Sequence, residues 1–216
     1  LLSLVEIGPG EGVLSRDLID ALYEFSPALI NKIELVLVEP NTGMKRRQEK
    51  VVNNIKGVNC RWTDLEELSL KPVSGVVIAN EVLDAFPVER LVFRDKKVFR
   101  QGVSLKKINN EYFLEFVDLK PTNAILQFVK DSKKLLNVEL PPKDICNGWV
   151  TEWHCDVPIL FEKLSKILID GSLLVVDYAL ESKRYYSAMR KDGTMISYRN
   201  QKANHNLLQD AGFCDL

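Results

Sequence analysis

The sequence predicts an α/β fold in which a mostly parallel sheet carries helices on both faces and an antiparallel hairpin region is inserted. Three observations predict it. From Leu1 to Arg90, short apolar runs of strand length alternate with stretches of helical period. A glycine-rich turn joins the first such run to the first helix. After Leu91 the alternation gives way to short strand candidates separated by turn-prone pairs.

The elements follow in order. Leu1–Ile7 is an apolar run broken by Ser3 and Glu6, and Val13–Phe25 repeats Leu14, Leu18, Ala21, Leu22 and Phe25 at helical intervals, with Pro27 just beyond. Ile33–Val38 reads as a buried strand, Asn41–Ile55 as a helix, Val58–Trp62 as a weaker strand, and Val76–Ala79 as a fourth apolar run ending in Asn80–Glu81. Strands alternating with helices predict a parallel sheet covered on both sides. Leu91–Phe93, Val98–Leu105 and Tyr112–Val117 are strand candidates divided by Asp95–Lys96 and Asn109–Asn110. Ala124–Leu136 reads as a helix, and Pro141–Pro142 opens an irregular stretch. A helix over Pro158–Ile169 is expected to stop at Asp170–Gly171, followed by a buried strand Ser172–Val176 ending in Asp177–Tyr178 and a polar, loop-like remainder. Residues 1–90 and 154–216 are thus expected to form the core, and 91–153 an inserted lobe.

Composition narrows the function classes. With 29 Lys plus Arg against 30 Asp plus Glu, the charge balance argues against a protein built to grip nucleic acid or an anionic membrane. The cluster Lys45–Arg46–Arg47 reads as a solvated helix face. Cys60, Cys146, Cys155 and Cys214 are scattered, and His154 and His205 complete no zinc spacing, so no metal is expected. No apolar run is long enough to span a bilayer. Because the chain opens on Leu1 and enters a strand almost at once, further residues are expected upstream of it.

The turn Glu6-Ile7-Gly8-Pro9-Gly10-Glu11-Gly12 marks a cofactor site, since glycines let a ligand approach the backbone and the helix start offers unpaired N–H groups. A dinucleotide fingerprint wants glycines at the first, third and sixth places. Here they fall at Gly8, Gly10 and Gly12, with Val13 in the sixth place. Glu6, two residues before the first glycine, would repel a pyrophosphate but suits a ligand carrying an ammonium group, such as the methionine end of S-adenosyl-L-methionine. The pattern E-x-G-x-G-x-G resembles the first motif of the Rossmann-like class I methyltransferases. Glu39, closing the second strand, is placed to accept both ribose hydroxyls, as an acid does in NAD folds too. Trp62 and Asp64, after the third strand, fit an adenine site; the plainer reading of Trp62 is a core aromatic.

At the end of the fourth strand lies Asn80-Glu81-Val82-Leu83-Asp84-Ala85-Phe86-Pro87-Val88-Glu89-Arg90. This N-E-V-L-D-A-F-P-V-E-R string resembles the signature of the MidA-type methyltransferases, a family that includes the mitochondrial complex I assembly-factor arginine methyltransferase and bacterial relatives. Gly148–Glu152, Leu174–Tyr178, and Arg184-Tyr185-Tyr186 with Gly193-Thr194-Met195 also look like that family's later segments, so the resemblance runs through nearly the whole chain. Ala179 departs from it, standing where a Gly usually follows Asp-Tyr. The resemblance implies methylation of a protein arginine, a respiratory-complex subunit as partner, and further chain on either side of residues 1–216. It implies a cytoplasmic location in a bacterium and the mitochondrial matrix in a eukaryote.

Methyl transfer from a sulfonium needs alignment and a way to handle the acceptor's proton, with no metal. For a guanidinium acceptor, a carboxylate should hold the fork. Glu81 is the first candidate, with Asn80 and Asp84 beside it and Glu89 more remote; Asn80 is also assigned to cofactor binding. The plainer reading is that Asn80 and Glu81 cap a following helix or orient the cofactor. Asp177 and Tyr178 end another strand at the same edge, and His205 reads as a loop residue. The rival functions are a small-molecule methyltransferase, a cofactor-binding assembly factor without turnover, and, more remotely, an NAD(P) oxidoreductase.

Overall fold

The computed structural model describes residues 1–53 and 55–216. In chain order its elements are β1 (Leu2–Ile7), α1 (Val13–Phe25), α2 (Pro27–Ile30), β2 (Ile33–Val38), α3 (Thr42–Val52), β3 (Asn59–Thr63), α4 (Leu65–Leu70), β4 (Val73–Asn80), β5 (Glu89–Arg94), β6 (Lys97–Ile108), β7 (Glu111–Leu119), α5 (Asn123–Leu136), β8 (Trp149–Trp153), α6 (Val157–Ile167), β9 (Leu168–Val176), α7 (Ser182–Tyr185), β10 (Ser197–Arg199) and β11 (Lys202–Asn204). The helix expected over Asn41–Ile55 covers Thr42–Val52, and residue 54 lies outside the described residues. The chain divides into two compact units, 1–86 with 156–178 and 87–155 with 179–216.

The first unit is a five-stranded sheet in the order β3-β2-β1-β4-β9, parallel throughout. Alternation along each strand splits its side chains between two cores. Val5, Ile7, Val36, Val38, Val77 and Ala79 bury on one face against Leu68 of α4 and Leu160, Leu164 and Ile167 of α6. Leu35 and Leu37 bury on the other against Ile19 of α1, Ile30 of α2 and Val52 of α3. Helices therefore cover both faces, as the alternation of periods predicts. Asn41 and Asp64 cap α3 and α4 by accepting from backbone N–H groups. Gly12 precedes α1 and supplies no side-chain cap, and within that first turn the Ser15 amide bonds the Glu6 carboxylate.

Two expectations for this unit are corrected. Gly171 does not stop a helix: α6 ends at Ile167, where its buried stripe ends, and β9 begins at Leu168. Gly171 instead lies in β9 opposite Gly75 of β4. A Cβ on Gly171 would stand 1.8 Å from the Gly75 carbonyl oxygen, so the missing side chain serves close strand approach. Nor is Ser172–Val176 a fully buried strand. Among the described residues β9 pairs on one side only, so Leu173 and Val175 pack on the core while Leu174 and Val176 are 51% and 49% exposed.

The second unit is an antiparallel sheet in the order β7-β6-β5-β8. Leu91 and Phe93 of β5 and Trp149 of β8 bury with Ile125 and Phe128 of α5 and with Tyr186. Residues 179–216, expected with the core, belong to this unit and are not wholly loop: they contain α7 and the β10–β11 hairpin. Thr194 is tied to β8 through Glu152, and the amide of Val150 donates to the Lys191 carbonyl. No helix among the described residues is long and apolar enough to cross a membrane.

The Gly171–Gly75 approach yields a stability prediction. Gly171→Ala should lower the unfolding free energy in urea by about 1–3 kcal/mol from overpacking, with added backbone strain at φ +139°. A variant as stable as the parent contradicts the close approach.

Candidate functional site

Strand β1 pairs with β2 on one side and β4 on the other, and the chain leaves β1 through the glycine turn. In an open parallel sheet such a reversal of strand order opens a crevice at the carboxyl ends of the strands. A cavity of about 420 Å³ lies there, lined by Ile7, Gly8 and Gly10 after β1, Val38 and Glu39 at the end of β2, Asp64 and Leu65 after β3, Glu81 and Val82 after β4, and Leu160 and Lys163 of α6. That volume suits a nucleoside-sized ligand.

The turn is left-handed at each glycine. Gly8 has φ +61° and its missing Cβ would meet Val82 at 3.3 Å, whereas Gly10 has φ +53° and faces nothing within 4 Å. Side chains are thus excluded for different reasons, backbone strain with crowding at Gly8 and strain beside open space at Gly10. Gly12, also at positive φ, packs beneath α3.

Glu6 sits beneath this turn. It is 4% exposed and accepts a short hydrogen bond from the Ser15 hydroxyl of α1. Burial pushes its carboxyl above the usual range, opposed by the Ser15 side-chain and backbone hydrogen bonds. Glu39 is held at both oxygens: one accepts from the Asn41 amide at 2.8 Å, the other from the Gln48 side chain at 3.0 Å. Asp64 lines the cavity while capping α4 through the Glu67 amide at 2.7 Å. Trp62 is not among the lining residues. Its ring packs with the core on the α1–α3 face, and its indole donates to Gln48 at 2.9 Å.

After β4 the chain forms an irregular turn rather than a helix, so Asn80 and Glu81 cap nothing. Glu81 has φ +49°, and its amide donates to the Val176 carbonyl at 2.8 Å. The next two amides, of Val82 and Leu83, both donate to one oxygen of Asp177, at 3.1 and 2.7 Å. Asp177 therefore holds the Glu81 turn in place from the end of β9. Asn80 is half-buried at the end of β4, and Asp84 is exposed in the turn; neither is a lining residue.

The last four residues of the motif, Pro87 to Arg90, belong to the second unit. Glu89 pairs with Arg100. Arg90 pairs with Glu152, which is 1% exposed and also accepts from the amide and hydroxyl of Thr194. One string of sequence thus ends the cofactor edge and begins the anchoring of the second sheet.

Of the sequence-predicted residues, Gly8, Gly10, Glu39, Asp64 and Glu81 share the cavity wall, and Glu6, Gly12, Trp62, Asn80 and Asp84 are not among its lining residues. The wall carries four carboxylates, those of Glu39, Asp64, Glu66 and Glu81, against the single ammonium of Lys163, which is itself paired with Glu66. An acidic cavity disfavours a pyrophosphate and favours a cationic ligand.

A glycine turn at the sheet's switch point, with a carboxylate ending the neighbouring strand and an acid-rich wall, defines an α/β protein that binds a cationic nucleoside cofactor. The chain matches a family described as "Putative S-adenosyl-L-methionine-dependent methyltransferase" over residues 1–216. It belongs to that family, and S-adenosyl-L-methionine is its cofactor.

Two crystal structures from Burkholderia thailandensis share the fold. One, an uncharacterized superfamily protein, is 24% identical with a TM-score of 0.78, covering 99% of this chain and 53% of that one. The other, described as a "likely methyl transferase" and bound to S-adenosyl-homocysteine, is 24% identical with a TM-score of 0.76, covering 99% of this chain and 51% of that one. The chain spans about half the length of these proteins. No curated protein matches it.

The buried acid gives a pH prediction. Glu6 binds its proton more tightly folded than unfolded, so its contribution to stability is fully present below the ordinary value near 4.5 and is lost as pH rises through the raised folded value. Relative to Glu6→Gln, the parent should gain stability as pH falls from neutral toward that ordinary value, measured by urea unfolding across the range. A difference that is flat, or that moves the other way, contradicts the burial of an ionisable Glu6.

Proposed function

We propose that the protein transfers the methyl group of S-adenosyl-L-methionine to a guanidinium nitrogen of a protein arginine. The observation that supports this best is Glu81. Its carboxylate stands in the wall of an acid-rich cavity, on a turn fixed by Asp177, with no hydrogen-bond partner of its own among the described residues. The sequence resemblance of residues 80–90 points the same way.

In this reading Glu39 accepts the ribose hydroxyls, Asp64 accepts from the adenine amine, and Gly8 and Gly10 let the methionine end lie against the backbone. The uncapped start of α1 offers N–H groups to the cofactor's carboxylate, and the charge of Glu6 beneath the turn favours its ammonium. The cofactor supplies an electrophilic methyl carbon on a sulfonium. Glu81 grips the guanidinium fork, lowers its positive charge by pairing, and aligns one nitrogen with that carbon. As the new N–C bond forms and the S–C bond breaks, the guanidinium proton released passes to Glu81 and on to water.

Calorimetric titration tests the cofactor half. S-adenosylhomocysteine should bind more tightly than NADH, and the reverse order contradicts the assignment. Glu81→Gln tests the chemistry: affinity for S-adenosylhomocysteine should stay within about threefold while methylation falls about 10²-fold or more. Unchanged turnover removes Glu81 from this role. Labelled-methyl transfer into a lysate, read by mass spectrometry, should mark arginine in protein. Label in a small molecule contradicts the acceptor class, and binding without any label leaves a cofactor-binding factor.

A further inference from the structure

Behind the cavity wall lies a side chain that the functional reading above does not use. Gln48, on α3, is 0% exposed, and it is polar at a position four residues before buried Val52, on a stripe that otherwise faces the core. Its amide makes three hydrogen bonds. Nε2 donates to the Gly10 carbonyl at 2.8 Å and to a Glu39 carboxylate oxygen at 3.0 Å, and Oε1 accepts from the Trp62 indole at 2.9 Å.

These partners fix the amide without ambiguity. An indole N–H only donates, while a peptide carbonyl and a carboxylate only accept, so the nitrogen must face Gly10 and Glu39 and the oxygen must face Trp62. A Glu at this position has no donor for Gly10, a Lys has no acceptor for the indole, and Met or Leu has neither. The bonds also join three elements: the turn after β1, the end of β2, and β3 at Trp62.

We propose that Gln48 is a positioning residue of the cofactor site, which orients the Glu39 carboxylate toward the ribose and fixes the glycine turn relative to it. Together with the Asn41 amide on its other oxygen, Gln48 holds the Glu39 carboxylate plane before any ligand arrives. A carboxylate oxygen has two lone-pair sites, so each keeps one for a ribose hydroxyl. Pre-orientation spares the ordering cost that a free side chain would meet on binding. The indole of Trp62 serves the site by anchoring this amide from behind rather than by stacking on the adenine. The inference rests on the reading of Glu39 as the ribose acceptor.

The test compares the affinities of S-adenosylhomocysteine and its 2′-deoxyribose analogue for the parent, Gln48→Met, Glu39→Gln and the double variant, with thermal melting alongside. Gln48→Met should weaken S-adenosylhomocysteine about tenfold and shrink the discrimination between the two ligands. Glu39→Gln should then cost much less in the Met background than in the parent, since the two act as one unit. A lower melting temperature with unchanged discrimination and additive effects overturns the proposal and makes Gln48 a packing residue. If Glu39→Gln in the parent leaves both affinities unchanged, the ribose role itself falls, and the positioning role with it. Should Gln48→Met not fold, Trp62→Phe carries the test. It removes only the indole donor, so reduced discrimination supports the proposal and unchanged discrimination overturns it.

Discussion

Strand β1 is paired in parallel on both sides, with β2 along six residues and with β4 along five, and this double pairing governs the molecule. A strand committed on both edges can deliver the chain only outward from its carboxyl end, over the crevice where β2 and β4 lead to opposite halves of the sheet. Turning there toward α1 takes three left-handed residues, at Gly8, Gly10 and Gly12. The same geometry that lets the chain turn leaves the backbone bare beside Gly10. The cofactor site is thus a consequence of how the sheet is wound.

The polar chemistry around that crevice divides into a wall and its supports. Glu39, Asp64 and Glu81 line the cavity, while Gln48 and Asp177 bond the wall from behind or from the side. Asp177 is the clearest case of coupling between sheet and site. β9 pairs with β4, its last residue accepts the Glu81 amide, and the following carboxylate accepts the next two amides of the turn. Turn geometry after β4 is therefore set by a strand far away in sequence. The excess of carboxylates on the wall suits a sulfonium cofactor and a guanidinium acceptor alike.

Much of this was legible in the residues because local periods and spacing encode it. The first four strands and the two long helices α1 and α3 follow from alternation and helical stripes, the glycine turn and Glu39 follow from spacing, and the short helices α2 and α4 carry no such pattern. What was not legible depends on contacts distant in sequence. Gly171 carries the local signal of a helix stop, yet its role is set by Gly75 across β4. Trp62 reads equally as an adenine-site or a core aromatic, and the sequence does not reveal its indole bond to Gln48 on a neighbouring element. Gln48 had one faint signal, a polar residue in a buried helical stripe, which becomes interpretable only when three acceptor and donor partners converge on it. The tail beyond Tyr178 lacks periodicity because its order comes from bonds to β8, such as Thr194 to Glu152, rather than from its own pattern.

The central claim is that the crevice between the ends of β1, β2 and β4 holds the adenosyl cofactor with its sulfur toward Glu81. A crystal structure of the protein with S-adenosylhomocysteine tests it most directly. The account predicts ribose hydroxyls on Glu39, the homocysteine end along Gly8 and Gly10, and the sulfur facing the Glu81 turn. S-adenosylhomocysteine bound elsewhere, or in this crevice with its ribose away from Glu39 and its sulfur turned from Glu81, contradicts it.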